Sequence, residues 1–207
     1  MAMRIISGSA RGTILHSIDK ISTRPTLDRV KESLFNIIQN SIEDATVLDL
    51  FSGSGAIAIE FLSRGAKKAY ICEKSKDAVQ MIYKNLEKTR LENGAVVYNI
   101  DYLECLKKLK NENIKLDIIF LDPPYKEDLA VKAIEQISNM DLLNENGIII
   151  IETDEPERDI NEIYGDKIKY KMYDLRKYGR ASLIFLKERK QDGDIQFIRN
   201  NWRYVGK

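Results

Sequence analysis

The sequence predicts an α/β fold around a mostly parallel sheet, and three observations support this prediction. Short apolar segments alternate with longer helical segments between Thr46 and Glu152, as in βαβ units. Two of these apolar segments end abruptly at loops, one rich in glycine and one containing two adjacent prolines. The length of 207 residues allows one substantial core with extensions, rather than two independent domains.

The alternating region contains predicted strands and helices in regular succession. The strands are Thr46–Leu50, Ala69–Glu73, Ala95–Ile100, Leu116–Leu121 and Gly147–Glu152. The helices are Gly55–Arg64, a helix capped by Ser75 that runs to about Asn93, Asp101–Leu109 and Glu127–Met140. Parallel strands joined by helices place their carboxyl ends at one edge of a sheet, where ligands bind.

Further elements are predicted on both sides of this region. Before it, two short strands, Arg4–Ser7 and Thr13–His16, precede a helix from about Thr26 to Asn40. After it, Lys167–Asp174 and Ala181–Lys187 are expected to form an antiparallel pair that turns at Tyr178-Gly179. The segment Glu188–Lys207 has no clean periodicity and is expected to be a tail or a short docking segment.

Composition excludes several classes of protein. The net charge of +1 carries no overall nucleic-acid signal. Cys72 and Cys105 lack the spacing of a redox or zinc site, and the single histidine, His16, argues against a histidine metal site or a catalytic triad. The apolar run Ile148–Ile151 is too short to cross a bilayer. We therefore expect a cytoplasmic protein with no membrane association and no metal.

The glycine loop after the first strand predicts a cofactor site. Gly53 and Gly55 allow a tight turn, and the following helix points its first amides at a ligand. Residues 53–58 also satisfy the relaxed dinucleotide fingerprint G-x-G-x-x-A, and Glu73 lies where an acid binds ribose hydroxyls. The loop alone therefore fits either NAD or S-adenosylmethionine.

Acidic residues end three successive predicted strands and favour S-adenosylmethionine. Asp49 would repel a pyrophosphate but suits the amino group of a methionine moiety, and Asp101 is placed to accept from an adenine amine. Glu73 is the third acid of the set. Each of them could instead cap a helix.

The segment Asp122-Pro123-Pro124-Tyr125 predicts a site for an amine nucleophile. Pro123 holds Asp122 extended, and the prolines remove two backbone donors, which leaves mainly acceptors. Acceptors that bind the hydrogens of an exocyclic base amine turn its lone pair toward an electrophile. Tyr125 offers a face for stacking the base. A rigid turn with Tyr125 as packing is the structural alternative. Together with the glycine loop, the segment predicts a methyltransferase that works by alignment and exclusion of water, without a metal.

The chain resembles the RsmD family, bacterial methyltransferases that modify a guanine N2 in small-subunit ribosomal RNA. The resemblance extends from Arg4 to about Leu186. It depends on the two loops and on these further segments: Arg4-Ile5-Ile6-Ser7-Gly8, Arg11-Gly12, Arg24-Pro25-Thr26, Arg29-Val30-Lys31-Glu32, Ser63-Arg64-Gly65-Ala66 and Arg176-Lys177-Tyr178-Gly179. The N-terminal segments are its most specific part.

The resemblance implies a Rossmann-like class I methyltransferase with a mostly parallel seven-stranded sheet, helices on both faces and a small N-terminal extension of hairpin and helix. It assigns cofactor binding to Asp49, Phe51, Ser52, Gly53, Gly55, Glu73 and Asp101, and the target base to Asp122, Pro123, Pro124 and Tyr125. It makes Arg4, Arg11, Arg24 and Arg29 candidate RNA contacts, since guanidinium groups pair well with phosphate.

The implied organisation is an RNA-contacting extension at 1–40, an S-adenosylmethionine-dependent domain at 41–187 and a tail at 188–207. The substrate would be small-subunit ribosomal RNA or the assembled small subunit, and the enzyme a monomer. Three other hypotheses stay open: an adenine-N6 methyltransferase of DNA or RNA, an NAD-dependent oxidoreductase, and a non-catalytic RNA-binding module.

Overall fold

The computed structural model describes residues 3–17, 25–124, 129–163, 168–189 and 203–204. It divides into two compact units, Met1–Cys105 and Leu106–Lys207, and each is described in turn. Within the described residues, no helix is both long and apolar enough to cross a membrane.

The first unit contains a three-stranded parallel sheet with the order β3-β2-β1. Its elements, in chain order, are α1 (Pro25–Ile38), β1 (Thr46–Asp49), α2 (Ala56–Ser63), β2 (Lys68–Cys72), α3 (Lys76–Thr89) and β3 (Ala95–Tyr98). Val47 and Leu48 of β1 and Ile71 of β2 are fully buried, and they form the core together with Ile59 of α2 and Ile82 of α3. Helix α4 (Tyr102–Asn111) begins at the end of this unit.

The second unit contains strands in the order β4-β5-β7-β6-β8. Its elements are β4 (Leu116–Leu121), α5 (Leu129–Met140), β5 (Leu143–Thr153), α6 (Pro156–Ile163), β6 (Tyr170–Tyr178), β7 (Ala181–Glu188) and β8 (Arg203–Tyr204). Strands β4 and β5 are parallel, with Leu121 opposite Ile151 at the end of the register. Strand β7 is antiparallel to both β5 and β6.

The N-terminal segment folds back on itself as a hairpin-like loop. Its backbone pairs through the Ile5 N–H, which donates to the Thr13 carbonyl at 3.0 Å, and the Leu15 N–H, which donates to the Met3 carbonyl at 2.8 Å. A single antiparallel bridge, between Arg4 and Ile14, joins its two sides. The segments Arg4–Ser7 and Thr13–His16 are therefore paired, but they do not form the predicted strands. The backbone groups of the turn between them bond one another and helix α2 instead.

The alternating region agrees closely with the predicted elements, and the differences have local causes. Helix α3 ends at Thr89 rather than near Asn93, because Arg90 adopts a left-handed conformation with φ 59°. Strand β5 begins at Leu143, four residues before the predicted Gly147. Helix α6 was not predicted, since it has only two turns. The turn at Tyr178-Gly179 is confirmed, and the fold class is the predicted one: a mostly parallel α/β sheet whose seven main strands are β1 to β7.

Candidate functional site

The glycine loop joins β1 to α2 in the backbone conformation that the sequence predicts. Gly53 and Gly55 have positive φ angles of 52° and 77°, which residues other than glycine rarely adopt. A Cβ on Gly55 would lie 3.1 Å from Ile82 of α3, so the loop is closely packed on that side. A Cβ on Gly53 would meet nothing within 4 Å. Open space at Gly53 lets a ligand approach the backbone there.

Glu73 braces this loop from the end of β2. One carboxylate oxygen accepts a hydrogen bond from the Gly53 N–H at 2.9 Å, and the other accepts from the Ser75 N–H at 2.8 Å. A carboxylate has about four acceptor positions, so two bonds leave capacity for ribose hydroxyls. The sequence predicts only a contact with ribose, whereas the structure shows that Glu73 also shapes the loop.

Asp49 is almost fully buried at the end of β1. Its carboxylate accepts from the Ala58 N–H in the first turn of α2 at 3.3 Å, where a negative charge also suits the helix dipole. Ser52 lies in the loop before α2, and its hydroxyl donates to the backbone carbonyl of Asp49 at 2.8 Å. Asp49 therefore joins the end of β1 to α2 through its carboxylate and to the loop through its backbone carbonyl.

Asp101 and Phe51 complete the predicted cofactor residues. Asp101 is exposed, and its carboxylate accepts from the Leu103 N–H at 3.0 Å at the start of α4. The ring of Phe51 lies 5.7 Å from the ring of Tyr102, measured between centroids. Asp49 and Asp101 thus both bond the first turn of a helix, which is the capping role that the sequence allows, and Asp101 keeps acceptor positions beyond that bond.

Asn85 contacts the glycine loop, and the sequence gives little signal for it. The residue is fully buried in α3. Its amide nitrogen donates to the Ser54 carbonyl of the loop and to the His16 carbonyl, both at 3.0 Å, while its oxygen accepts from the His16 N–H at 2.7 Å. One side chain therefore holds both the loop and the N-terminal segment. A polar residue within the apolar face of α3 is the only sequence feature that hints at this.

Glu60 anchors the same N-terminal segment to α2. Its fully buried carboxylate accepts from the Ile6 N–H at 2.8 Å and the Ser7 N–H at 3.0 Å, and it pairs with Lys31 at 3.3 Å and Arg64 at 2.8 Å. Four donors compensate the burial of this charge. The N-terminal segment is thereby fixed on the first unit.

The predicted RNA contacts on this segment are exposed where they are described. Arg4, Arg11 and Arg29 all lie on the surface of the first unit. Arg24 lies outside the described residues.

The predicted target-base loop begins where β4 ends in the second unit. Asp122 is half-buried, Pro123 is buried and Pro124 is exposed. Tyr125 lies outside the described residues, so its predicted stacking role stays a prediction. Burial raises the pKa of Asp122 to about 6, because removal from water disfavours the charged carboxylate.

Glu152 is a second carboxyl beside Asp122 and is not among the site residues that the sequence predicts. Leu121 and Ile151 are register partners, and Asp122 and Glu152 directly follow them in the chain. The two acids therefore lie side by side where β4 ends and on β5. Glu152 is only 8% exposed. Burial, and secondarily the charge of Asp122, raises the pKa of Glu152 to about 8. An acid that ends an apolar strand was the signal that could have found it.

A cleft of about 560 Å³ lies at the end of β5 and the β6–β7 turn. Acidic and basic side chains line it, among them Asp154, Glu157, Arg158, Lys177 and Arg180. Arg158 pairs with Glu155 and Asp159, and Lys177 lies 3.6 Å from Glu157. The charges of Arg158 and Lys177 are therefore largely balanced by acidic side chains in or beside the same cleft.

Known proteins of similar sequence have the same fold and are named as methyltransferases. A family model described as "Conserved hypothetical protein 95" matches residues 3–187. The chain is 37% identical over 187 residues to the putative rRNA methyltransferase YlbH of Bacillus subtilis, covering 90% of this chain and 100% of that one. It is 39% identical over 153 residues to ribosomal RNA small subunit methyltransferase D of Haemophilus influenzae, covering 73% and 79%.

Solved structures give the same result. A putative methyltransferase, yhhF, from Escherichia coli superposes with a TM-score of 0.74 at 27% identity, covering 91% of this chain and 98% of that one. The putative methylase HI0767 of Haemophilus influenzae gives a TM-score of 0.71 at 29% identity, covering 92% and 100%.

Fold and loops together define a Rossmann-like class I methyltransferase. Within that class, the chain belongs to the family described as "Conserved hypothetical protein 95", which is the RsmD family.

Proposed function

We propose that this protein transfers a methyl group from S-adenosylmethionine to the exocyclic N2 amine of a guanine in small-subunit ribosomal RNA. The observation that carries the proposal is Asp122, a half-buried carboxyl at the end of β4 followed by the two prolines. Membership of a family that includes a ribosomal RNA small subunit methyltransferase D supports it. The cytoplasm, where ribosomal subunits are found, is the proposed location.

The residues of the first unit fit an S-adenosylmethionine molecule. Gly53 leaves open space at the loop, while Glu73 and Asp101 keep acceptor positions beyond their bonds to backbone amides. In this proposal Asp49 binds the amino group of the methionine moiety, Glu73 the ribose hydroxyls and Asp101 the adenine amine, and Phe51, Ser52 and Gly55 line the site. The bound cofactor supplies a methyl group on a sulfonium, which is already an activated leaving group.

Asp122 and its neighbours prepare the nucleophile in this proposal. The ionised Asp122 carboxylate and the Pro123 carbonyl accept the two N2 hydrogens, so that the nitrogen lone pair turns out of the plane of the base. Asp122 then takes the proton that the amine loses. Pro124 keeps the loop rigid and Tyr125 stacks on the base. Alignment of the amine and exclusion of water supply most of the acceleration.

Arg4, Arg11, Arg24 and Arg29 are proposed to contact RNA phosphates. The three described members of this set are exposed, and the hydrogen bonds of Glu60 hold the segment that carries Arg4 and Arg11. Replacing Arg4 and Arg11 together by Ala should weaken RNA binding. The slope of the logarithm of the binding constant against the logarithm of salt concentration should also fall by about one for each lost phosphate contact. The enzyme is proposed to act as a monomer, without a metal.

The test compares wild-type protein with Asp122→Asn on small ribosomal subunits from cells that lack this gene. Wild-type protein should introduce N2-methylguanine, identified by mass analysis of nucleosides, and Asp122→Asn should lose about 100-fold or more in rate. Free ribosomal RNA and DNA are tested in parallel. N6-methyladenine as the product would favour the adenine-N6 alternative, which shares the Asp-Pro-Pro-Tyr loop.

The choice of cofactor has its own test. Thermal melting with S-adenosylmethionine and with NAD shows which one stabilises the folded protein. Stabilisation by NAD alone would overturn the proposal.

A further inference from the structure

The strand-end carboxyls Asp122 and Glu152 form a pair with unused acceptor positions. Neither side chain accepts a hydrogen bond from any residue that the structure describes. The carboxyl oxygens are not sealed from solvent, because among the described residues the sealed polar side-chain atom without a partner is the Tyr170 hydroxyl. Carboxyl oxygens that solvent reaches and no protein donor occupies are open to the donors and acceptors of a ligand. This observation does not depend on the motif, because Glu152 lies outside it.

The surroundings of Glu152 disfavour a second negative charge beside Asp122. On the β4 side its neighbour is the Asp122 carboxyl, and on the β7 side its register partner is the apolar Leu183. The next residue, Thr153, is uncharged, and its hydroxyl accepts from the Glu155 N–H. Two adjacent carboxyls in such a site cannot both ionise readily. Glu152 is the more buried of the two, and its pKa is raised further, to about 8 against about 6 for Asp122.

An uncharged carboxyl is both a donor and an acceptor, unlike a carboxylate. Guanine presents a matching edge beside its N2 amine, with the O6 acceptor next to the N1–H donor. Neighbouring parallel strands are separated by about 4.8 Å, a spacing comparable to the width of that base edge. Asp122 at the N2 amine would therefore leave Glu152 beside N1 and O6.

We propose that Glu152 is a specificity-determining residue: its carbonyl oxygen accepts from N1–H and its O–H donates to O6 of the target guanine, while Asp122 binds the N2 amine. This inference rests on the proposed function, because it assumes the same target base. The pKa of about 8 supports it, since an acid with that pKa is largely protonated at neutral pH. In this arrangement, the two carboxyl groups at adjacent strands select guanine as the base that is methylated at N2.

The test uses three variants and small subunits from cells that lack this gene. Glu152→Gln keeps one donor and one acceptor, so kcat/KM should stay within about threefold of wild type. Glu152→Ala should lose about 10-fold or more, through KM for the subunit rather than KM for S-adenosylmethionine. Glu145→Gln changes an exposed acid of the same strand and should change neither constant.

A base analogue tests the proposed contact directly. Once the target guanine is mapped, an RNA with 2-aminopurine at that position keeps the amine but lacks O6 and N1–H. Wild type and Glu152→Gln should prefer guanine by about 10-fold or more, and Glu152→Ala should lose most of that preference. Equal preference in all three proteins would overturn the inference.

Infrared difference spectroscopy gives a readout without substrate. The carbonyl band of a protonated carboxylic acid at neutral pH should be present in wild type and absent in Glu152→Gln. This comparison does not need Glu152→Ala, so it holds even if that variant fails to fold. An identical infrared spectrum for wild type and Glu152→Gln would overturn the inference. So would a loss of kcat/KM in Glu152→Gln as large as that in Glu152→Ala. If wild type itself methylates no guanine N2, the proposed function fails instead.

Discussion

The side-chain amide of Asn85 donates to the backbone carbonyl of Ser54, 3.0 Å away, and so ties helix α3 to the glycine loop. The same amide group bonds the backbone of His16 in both directions. Three bonds from one fully buried side chain thus define the position of two segments that are distant in sequence. The proposed cofactor loop and the proposed RNA-contacting segment share this support.

Asn85→Ala should weaken both segments at once. The carbonyls of Ser54 and His16 lose their donor, which should lower the free energy of unfolding by about 1–3 kcal/mol. A less rigid loop should also weaken S-adenosylmethionine binding by about tenfold. Urea unfolding and calorimetric titration measure the two effects.

Thr89→Val is the matched control for this prediction. Thr89 is also buried in α3, but its hydroxyl bonds only the carbonyls of Asn85 and Leu86 in its own helix. Its replacement should leave the cofactor Kd unchanged. A loss of affinity as large as that of Asn85→Ala would contradict a specific role for Asn85.

Gly8 and Gly12 provide a matched pair of backbone substitutions. Their φ angles are 84° and 83°, so alanine is strained at both positions. A Cβ on Gly8 would lie 1.7 Å from the Ser63 carbonyl oxygen, whereas a Cβ on Gly12 would meet nothing within 4 Å. Gly12→Ala should therefore cost about 1 kcal/mol and Gly8→Ala about 3 kcal/mol or more. Equal losses of stability in urea unfolding would show that the turn does not pack on α2 as described.

The pH–rate profile should have two limbs. Asp122 must be ionised to accept the amine hydrogens, so the rate should rise as pH increases through about 6. If Glu152 acts as an uncharged acid, the rate should fall above about 8. Glu152→Gln should keep the lower limb and lose the upper one, which single-turnover rates across this range would measure. A falling upper limb that persists in Glu152→Gln would assign it to another group.

Stability should also depend on the ionisation of Glu152. Its folded pKa of about 8 lies above the ordinary value near 4.5, so the folded state holds a proton that the unfolded chain releases within that window. The free energy of unfolding therefore falls as pH rises through the window. Glu152→Gln should gain stability relative to wild type as pH increases, by about 1.4 kcal/mol for each pH unit within the window. Urea unfolding at several pH values measures this, and the exposed Glu145→Gln should show no such gain.

Tyr170 offers a substitution that should stabilise the protein. Its side chain is fully buried, and its hydroxyl has no hydrogen-bond partner within the part of the chain that the structure describes. Tyr170→Phe removes an unsatisfied polar group and should raise the free energy of unfolding by about 1 kcal/mol. Tyr173→Phe, at a position 42% exposed, should be close to neutral in the same denaturation measurement. A loss of stability in Tyr170→Phe would indicate a bond to this hydroxyl in solution.

Local signals predicted most of the elements that position the site. Strand β4 has the predicted bounds, and the hydroxyl of Ser75 accepts from the Ala78 N–H at the start of α3 as expected of a cap. The sequence misplaced the end of α3 and missed α6, because a left-handed Arg90 and a two-turn helix leave little periodic signal. The sequence predicts two strands joined through Gly8 and Gly12 in the N-terminal segment, yet its backbone donors Ser9 N–H and Ile6 N–H bond Ser63 and Glu60 of α2.

Apolar periodicity, glycines and prolines are local properties, so the chain's own order of residues was enough to indicate the α/β class, the glycine loop and the Asp-Pro-Pro-Tyr segment. Side-chain partners are different, because they depend on register and on contacts between distant residues. Only the folded chain shows that Glu73 bonds Gly53, that Asn85 joins Ser54 to His16, and that Glu152 stands beside Asp122. Strand order and helix packing decide these contacts, and a local pattern marks such a residue at most as unusual without naming its partner.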